Sequence, residues 1–370
     1  MEIYTYTPLN LDEPSFRLVR LFGGVGRELQ CELIHALLKP SDVMDYEAVS
    51  YTWGVVPHPV SFLEIHGETI KKLPIHYNLY RVLLDLRLVD EDRMLWIDAI
   101  CINQGTQDAT ERNHQVQQMA EIYKTAQRVL VWLGPSTQEM DLAMVSLLEF
   151  QSLFKEMKWK AEEIRASDTW KRFESSASRE HDDPRYLGIK KIFNQPWFRR
   201  IWVLQEVGNA RAVIIHCGKK AVSSATFLLA PSVYQIEVDK HCQAVLDLMP
   251  ASSARSQHGG QYRDLRKLLR DFRGAEATRE HDKVYALLGL CHGKGKDLRI
   301  SYEKPISEVI SEVISHICYY EVGSTPVPLY KSIREFQSDL DDLEDKQPKK
   351  HFGTTGHKIY RVRGIFENRR

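Results

Sequence analysis

Two short runs of almost unbroken apolar residues, Met94-Leu-Trp-Ile-Asp-Ala-Ile-Cys-Ile102 and Arg128-Val-Leu-Val-Trp-Leu133, flank one segment of helical period. A strand with one wet face alternates apolar and polar residues. One that is apolar throughout needs cover on both faces, which parallel sheets obtain from their crossover helices. Between the runs, Val116, Met119, Ala120, Tyr123 and Ala126 fall on one helical stripe, and Asp108-Ala-Thr-Glu111 has the form of a capping box at its start. Upstream, Tyr46-Glu-Ala-Val-Ser-Tyr-Thr-Trp-Gly54 reads as a strand ended by glycine, and Leu79, Val82, Leu83 and Leu86 predict a helix over His76 to Val89. Strand, helix, strand, helix, strand within so short a stretch predicts an open, mainly parallel α/β sheet flanked by helices.

The rest of the chain is read around that core. Residues 1–45 form a β-rich segment, with strands at Ser15 to Phe22 and Leu29 to Leu38 joined through Gly23-Gly24-Val25-Gly26. That glycine cluster lacks the third glycine of a dinucleotide loop, since Leu29 stands in its place, so it reads as a turn. Ser61 to Ile70 alternates as a further strand. The α/β core spans 46–218, with a helical insertion at about 136–195 and an exposed polar stretch at 167–184. Tyr186 to Asn194 and Trp197 to Asn209 read as helices, and Arg211-Ala-Val-Ile-Ile-His-Cys217 as the last strand. Residues 219–337 read as helical throughout, and 338–370 as a charged linker and tail.

Composition narrows the partners. Fifty Lys plus Arg balance fifty Asp plus Glu, so a nucleic-acid or anionic-membrane partner is not expected. No apolar run approaches the ~20 residues of a membrane span. The N-terminus lacks a secretory pattern, and six scattered cysteines without a C-x-x-C pair read as reduced thiols, which together predict a cytoplasmic protein. None of the fourteen histidines has metal-ligand spacing, so no metal is expected, and no cofactor is required. The nucleophile-elbow, phosphate-loop and zincin motifs are absent.

In open α/β sheets ligands bind beyond the carboxyl ends of the strands. Three segments put polar groups there: Ser50-Tyr51-Thr52-Trp53-Gly54; Asp98 with Cys101, Asn103 and Gln104; and Trp202-Val-Leu-Gln-Glu206, whose ends are four residues apart. An indole beside a carboxylate suits a ribose with a cationic leaving group, because the carboxylate can stabilise the oxocarbenium-like charge that grows as the bond breaks. Bland readings stand beside these. A helix glutamate is ordinarily solvated. Asp98 in an apolar run is either a structural cap or part of a site. Trp53 and Trp96 are suited to the core, Cys101 has no identifiable basic partner, and His216 is suited to packing.

These blocks, in unbroken order, resemble a known family. Tyr46 to Gly54, Leu95-Trp-Ile-Asp-Ala-Ile-Cys-Ile-Asn-Gln104, Glu111-Arg112 through Ala126, and Val131-Trp-Leu-Gly134 look like the fungal heterokaryon incompatibility (HET) domain. Pro196-Trp-Phe-Arg-Arg-Ile-Trp-Val-Leu-Gln-Glu206 and Asp282-Lys-Val-Tyr-Ala-Leu-Leu-Gly-Leu290 resemble its downstream blocks. The resemblance implies a role in fungal non-self recognition, innate immunity and programmed cell death. More distantly, Ser50-Tyr51 at a strand end and Trp202-x-x-x-Glu206 are similar to TIR domains, which implies a TIR-like sheet and NAD+ glycohydrolysis. On that likeness Glu206 is the catalytic carboxylate, Ser50, Tyr51, Trp53, Gly54, Asp98, Asn103, Gln104 and Trp202 line the pocket, and NAD+ is the substrate. It also implies self-association on activation and a separate sensor protein. The alternative is a non-enzymatic death adaptor acting through self-association or a partner.

Overall fold

The computed structural model describes residues 2–39, 44–54, 61–105, 109–157, 182–252, 264–291, 298–318 and 332–340. Its centre is one nine-stranded sheet with the order β5-β4-β2-β1-β6-β3-β7-β8-β9. The strands are β1 (Ser15–Leu21), β2 (Gln30–Leu37), β3 (Glu47–Tyr51), β4 (Ser61–His66), β5 (Lys71–Ile75), β6 (Arg93–Trp96), β7 (Arg128–Trp132), β8 (Val213–Cys217) and β9 (Lys220–Ser223).

Four adjacent strands are parallel: β6 with β3, β3 with β7, and β7 with β8. All five residues of β3 are buried, as a central strand covered on both faces requires. Val129, Leu130 and Val131 of β7 lie beside it at 1% exposure or less, each contributing roughly 1.5–3 kcal/mol by burial. Beyond this quartet the sheet is mixed. β1 runs antiparallel to both β2 and β6, β2 parallel to β4, and β4 and β9 antiparallel to β5 and β8. The mainly parallel expectation therefore holds for the central four strands and not for the sheet as a whole. Because β1 hydrogen-bonds to β6, one sheet also runs across the boundary expected at residue 45.

Helix α1 (Tyr77–Leu86) buries Leu79, Val82, Leu83 and Leu86, the stripe its period predicts. The run expected as a strand through Ile102 divides instead. β6 stops at Trp96, and α2 (Asp98–Cys101) is a single helical turn, with the Asp98 carboxylate accepting from the Ala99 amide at 2.8 Å. An all-apolar run is equally at home in a buried strand or a buried turn, so its pattern does not mark where one gives way to the other. Helix α3 (Ala109–Thr125) follows; Asp108 of the expected capping box lies outside the described residues. Glu111 is buried and bonded to Arg17 of β1, at 2.6 and 2.9 Å.

The crossover from β7 to β8 contains α4 (Gln138–Met157), a helix at Pro184–Phe193, a 3-10 turn at Pro196–Arg199 and a short helix at Val203–Asn209. The polar stretch expected at 167–184 lies mostly outside the described residues. The single helix expected from Trp197 to Asn209 is broken into the last two of these pieces. Backbone contact with a distant segment accompanies the break: the Ile201 amide donates to the Glu276 carbonyl (2.9 Å) and the Glu276 amide to the Arg199 carbonyl (2.6 Å).

Two strands escaped the pattern. β9 lies where only helix was expected; it is four residues long and turns back on β8 at Gly218, whose φ of +56° favours glycine. β5 follows Ile70 and carries Pro74, tolerable because β5 is a sheet edge. The later helices include Lys240–Leu248, Leu265–Asp271, Asp282–Leu288 and Ile306–Cys318, close to their expected places, while Ser224–Phe227, Ala230–Tyr234 and Ile333–Asp339 fall in the region read as helical without having been delimited individually. Residues 341–370 of the expected tail lie outside the described residues.

Candidate functional site

The order of the central quartet, β6-β3-β7-β8, fixes where its loops part. From β3 the chain moves to the neighbour on one side and then crosses to β7 on the other. The carboxyl end of β3 is thus the topological switch point, where loops diverge and leave space for a ligand. Ser50 and Tyr51 are the last two residues of that strand.

Ser50 is 1% exposed and stands between two side chains of the β7–β8 crossover. The Trp197 indole N–H donates to Ser50 Oγ at 2.8 Å, and Ser50 Oγ in turn donates to Glu206 Oε2. An indole can only donate and a hydroxyl has a single proton, so the Ser50 proton is directed at Glu206 and Oε2 acts as the acceptor. Glu206 itself is 1% exposed. Burial raises its carboxyl from the ordinary 4.5 to about 7; the Arg200 charge and the Ser50 bond pull it down, and the Asp98 charge adds to the rise.

Asp98 lies beyond the end of β6, on the neighbouring strand, and is half-buried. Its carboxylate caps its own turn and accepts the Trp53 indole N–H at 3.1 and 3.2 Å. Burial raises its pKa, opposed first by Arg200 and then by the bonds from Ala99 and Trp53. The Asp98 carboxylate is thus held by one backbone amide of its own turn and one indole. Trp53 is 36% exposed, an edge of the site and not core. Gly54 turns the chain at φ +87°, where a Cβ would meet the Asn78 amide at 2.9 Å; Asn78 in turn bonds the Thr52 carbonyl at 3.0 Å.

The other candidates are placed differently. Asn103 and Gln104 use their side chains within the loop: Asn103 Oδ1 accepts from the Gly105 amide at 3.0 Å, and Gln104 Nε2 donates to the Asp98 carbonyl at 3.1 Å. Trp202 is the residue before the helix Val203–Asn209 and accepts the Glu206 amide through its carbonyl (3.3 Å), which preserves the four-residue spacing. Its side chain, however, faces Asp282 of the C-terminal region and helps to oppose the rise that burial gives that carboxyl. Cys101 is fully buried with its thiol pushed up to about 12 by desolvation, as befits a packed and unreactive sulfur. His216 is buried and held near 4 by desolvation, a neutral packed imidazole.

Three residues that sequence reasoning missed complete the group. Trp197 orients Ser50. Tyr123 of α3 donates to the Val49 carbonyl at 3.2 Å and packs edge-on against Trp96, ring centroids 5.2 Å apart. Arg200 donates through Nη1 to the Tyr51 carbonyl and is the first charge opposing the rise at both carboxyls. The available signal was the Trp197-Phe-Arg-Arg200 cluster directly before the Trp202–Glu206 segment; a continuous helix, as expected there, gives no reason for Trp197 and Arg200 to meet the β3 tip.

Comparison with known proteins gives two matches. A family described as "Heterokaryon incompatibility protein (HET)" matches residues 46–206, a span that begins just before β3 and ends on the buried glutamate. Heterokaryon incompatibility protein 6, OR allele, of Neurospora crassa is 28% identical over 369 residues, covering 85% of this chain and 53% of that protein. The chain thus spans about half the length of the curated relative it matches. No solved structure matches.

Proposed function

We propose that this chain, whose residues 46–206 match the heterokaryon incompatibility (HET) family, acts in fungal non-self recognition and cell death by cleaving NAD+ at its N-glycosidic bond. The observation that carries the reading is the buried Ser50–Glu206 pair at the switch point of the parallel quartet, with Asp98 and Arg200 beside it. In the reaction, the bond between ribose C1′ and the pyridinium nitrogen breaks and nicotinamide leaves with the bonding electron pair. The ribosyl carbon is left cationic, water adds to it, and one proton is released. On this reading Glu206, its carboxyl pushed up to about 7, is the group that stabilises the developing cation. The exposed Trp53 indole, oriented by Asp98, offers a face for a base. The likeness to TIR domains, in Ser50-Tyr51 and in Trp202-x-x-x-Glu206, and the strand order of the central quartet support the same reading.

At 1% exposure Glu206 is closed to a ligand in the arrangement described, so catalysis requires movement around the β3 tip. Self-association or a sensor protein is the proposed trigger. The same burial favours the second reading, a non-enzymatic adaptor in which Ser50, Trp197 and Glu206 form a structural polar cluster.

Purified chain at high concentration should consume NAD+ and release nicotinamide, and Glu206→Gln should abolish release while keeping the circular dichroism spectrum. Turnover by the Gln variant at the parental rate ends the enzymatic assignment. Killing of yeast that persists in Glu206→Gln supports the adaptor.

A further inference from the structure

Arg200 and Glu206 are bound to consecutive residues of one strand. The guanidinium holds the backbone carbonyl of Tyr51, and the carboxylate holds the hydroxyl of Ser50. A cation and an acid are thereby fixed side by side at the carboxyl end of β3. Among the described residues Arg200 has no ion-pair partner: its side chain's one hydrogen bond is to Tyr51, although a guanidinium carries five N–H donors. The nearby acids are otherwise engaged, Asp98 by the Trp53 indole and the Ala99 amide, Glu206 by Ser50. A half-buried guanidinium with donors to spare, fixed by its backbone carbonyl partner, is suited to a planar, bidentate grip on a phosphate.

Resting on the NAD+-cleaving reading, we infer that Arg200 is the specificity-determining residue of this site and grips the phosphate carried by the nicotinamide ribose. The 5′-phosphate hangs from the same ribose whose C1′–N bond breaks, so a carboxylate at the ring and a cation at its phosphate belong at one strand end, where Ser50 and Tyr51 hold them. The site then takes phosphorylated ribosyl-pyridiniums and dinucleotides and discriminates against the unphosphorylated nucleoside.

The test measures binding, not turnover, in the Glu206→Gln background, titrating full chain with ADP-ribose and with nicotinamide riboside. Arg200→Gln should weaken ADP-ribose by about 10- to 100-fold, the usual effect of losing a hydrogen-bonded charge, and leave nicotinamide riboside unchanged. Arg200→Lys, which keeps the charge but not the fork, should fall between. Equal weakening of both ligands, or none, overturns the assignment of Arg200 while leaving NAD+ cleavage standing. If the parental chain binds neither ADP-ribose nor nicotinamide riboside and releases no nicotinamide from NAD+, the reading of the site falls and this one with it. A melting temperature within a few degrees of parental separates lost recognition from lost folding.

Discussion

Replacing Glu206 with Gln should make the stability of this protein less sensitive to pH, in a direction and amount that the site dictates. The folded carboxyl titrates near 7 where an ordinary glutamate titrates at 4.5. The folded chain therefore holds this proton more tightly than the unfolded chain does. The associated stability is fully present below about 4.5 and is lost as pH rises through about 7. At about 1.4 kcal/mol per pH unit, the interval between the two values amounts to about 3 kcal/mol. Glutamine keeps an oxygen to accept the Ser50 proton and carries no ionisable group, so the variant escapes that loss. Urea unfolding of both proteins, followed by tryptophan fluorescence at pH 5 and pH 8, reads the difference. Other titrating groups are common to both chains and cancel in the comparison. The gain in stability of Glu206→Gln over the parent should be larger at pH 8 than at pH 5 by roughly 2–3 kcal/mol. A difference that does not change with pH would refute the reasoning, since it would mean that Glu206 ionises as a solvated carboxylate. A variant weakened equally at both pH values would place the value of Glu206 in its bond to Ser50 and not in its charge.

Two further outcomes follow from the packing. Arg17 is fully buried against Glu111 and also holds the Cys101 carbonyl at 3.1 Å, beneath the turn that carries Asp98. Arg17→Met strands a buried carboxylate and should cost about 3–5 kcal/mol in chemical denaturation, and Arg17→Met with Glu111→Leu should cost less than the single change. At Gly188 a Cβ would lie 2.0 Å from the Glu139 carbonyl oxygen, so Gly188→Ala should force α4 away and cost at least about 1–3 kcal/mol in thermal unfolding. Gly274→Ala faces open space and serves as the control expected to stay near parental.

What could be read from sequence depended on how far each feature lay from its cause. β3, β7 and α1 are specified by their own residues: continuous burial in the strands and a single stripe in the helix leave one arrangement for each. β6 was overrun because Ile97 to Ile102 is apolar whether extended or coiled; the Asp98 carboxylate that caps the turn decides the matter, and capping was only one of two readings open to it. β9 and β5 are short and depend on a neighbour, β8 or β4, to become strands at all. In the site, Ser50 and Glu206 were legible through local motifs, although they meet across 156 residues. Trp197 and Arg200 were not, because a helix was the natural continuation for Trp197 to Asn209. The backbone exchange with Glu276 accompanies the break in that helix and lies 75–77 residues downstream. Trp202 was read as a neighbour of Glu206 in sequence, which holds for its backbone, while its side chain answers to Asp282.

That last contact alters how the C-terminal region should be regarded. Glu276 and Asp282 hold the segment leading to Glu206 at two points. Glu276 pairs with the backbone at Arg199 and Ile201, and Asp282 engages the side chain of Trp202 while accepting the Tyr302 hydroxyl at 2.7 Å. Tyr302 is in turn covered by the guanidinium groups of Arg112 and Arg279, 5.3 and 5.2 Å from its ring centre, and Arg112 belongs to α3. The short helix carrying Glu206 is thus tied to the sheet through Ser50, to the C-terminal helices through Asp282, and through Tyr302 back to α3. Any movement that uncovers the carboxylate must strain or release those ties. On the proposed function, access to the β3 tip and the seating of Glu276, Asp282 and Tyr302 are one mechanical problem, and a ligand or partner that loosens these three residues would act on Glu206 without touching it.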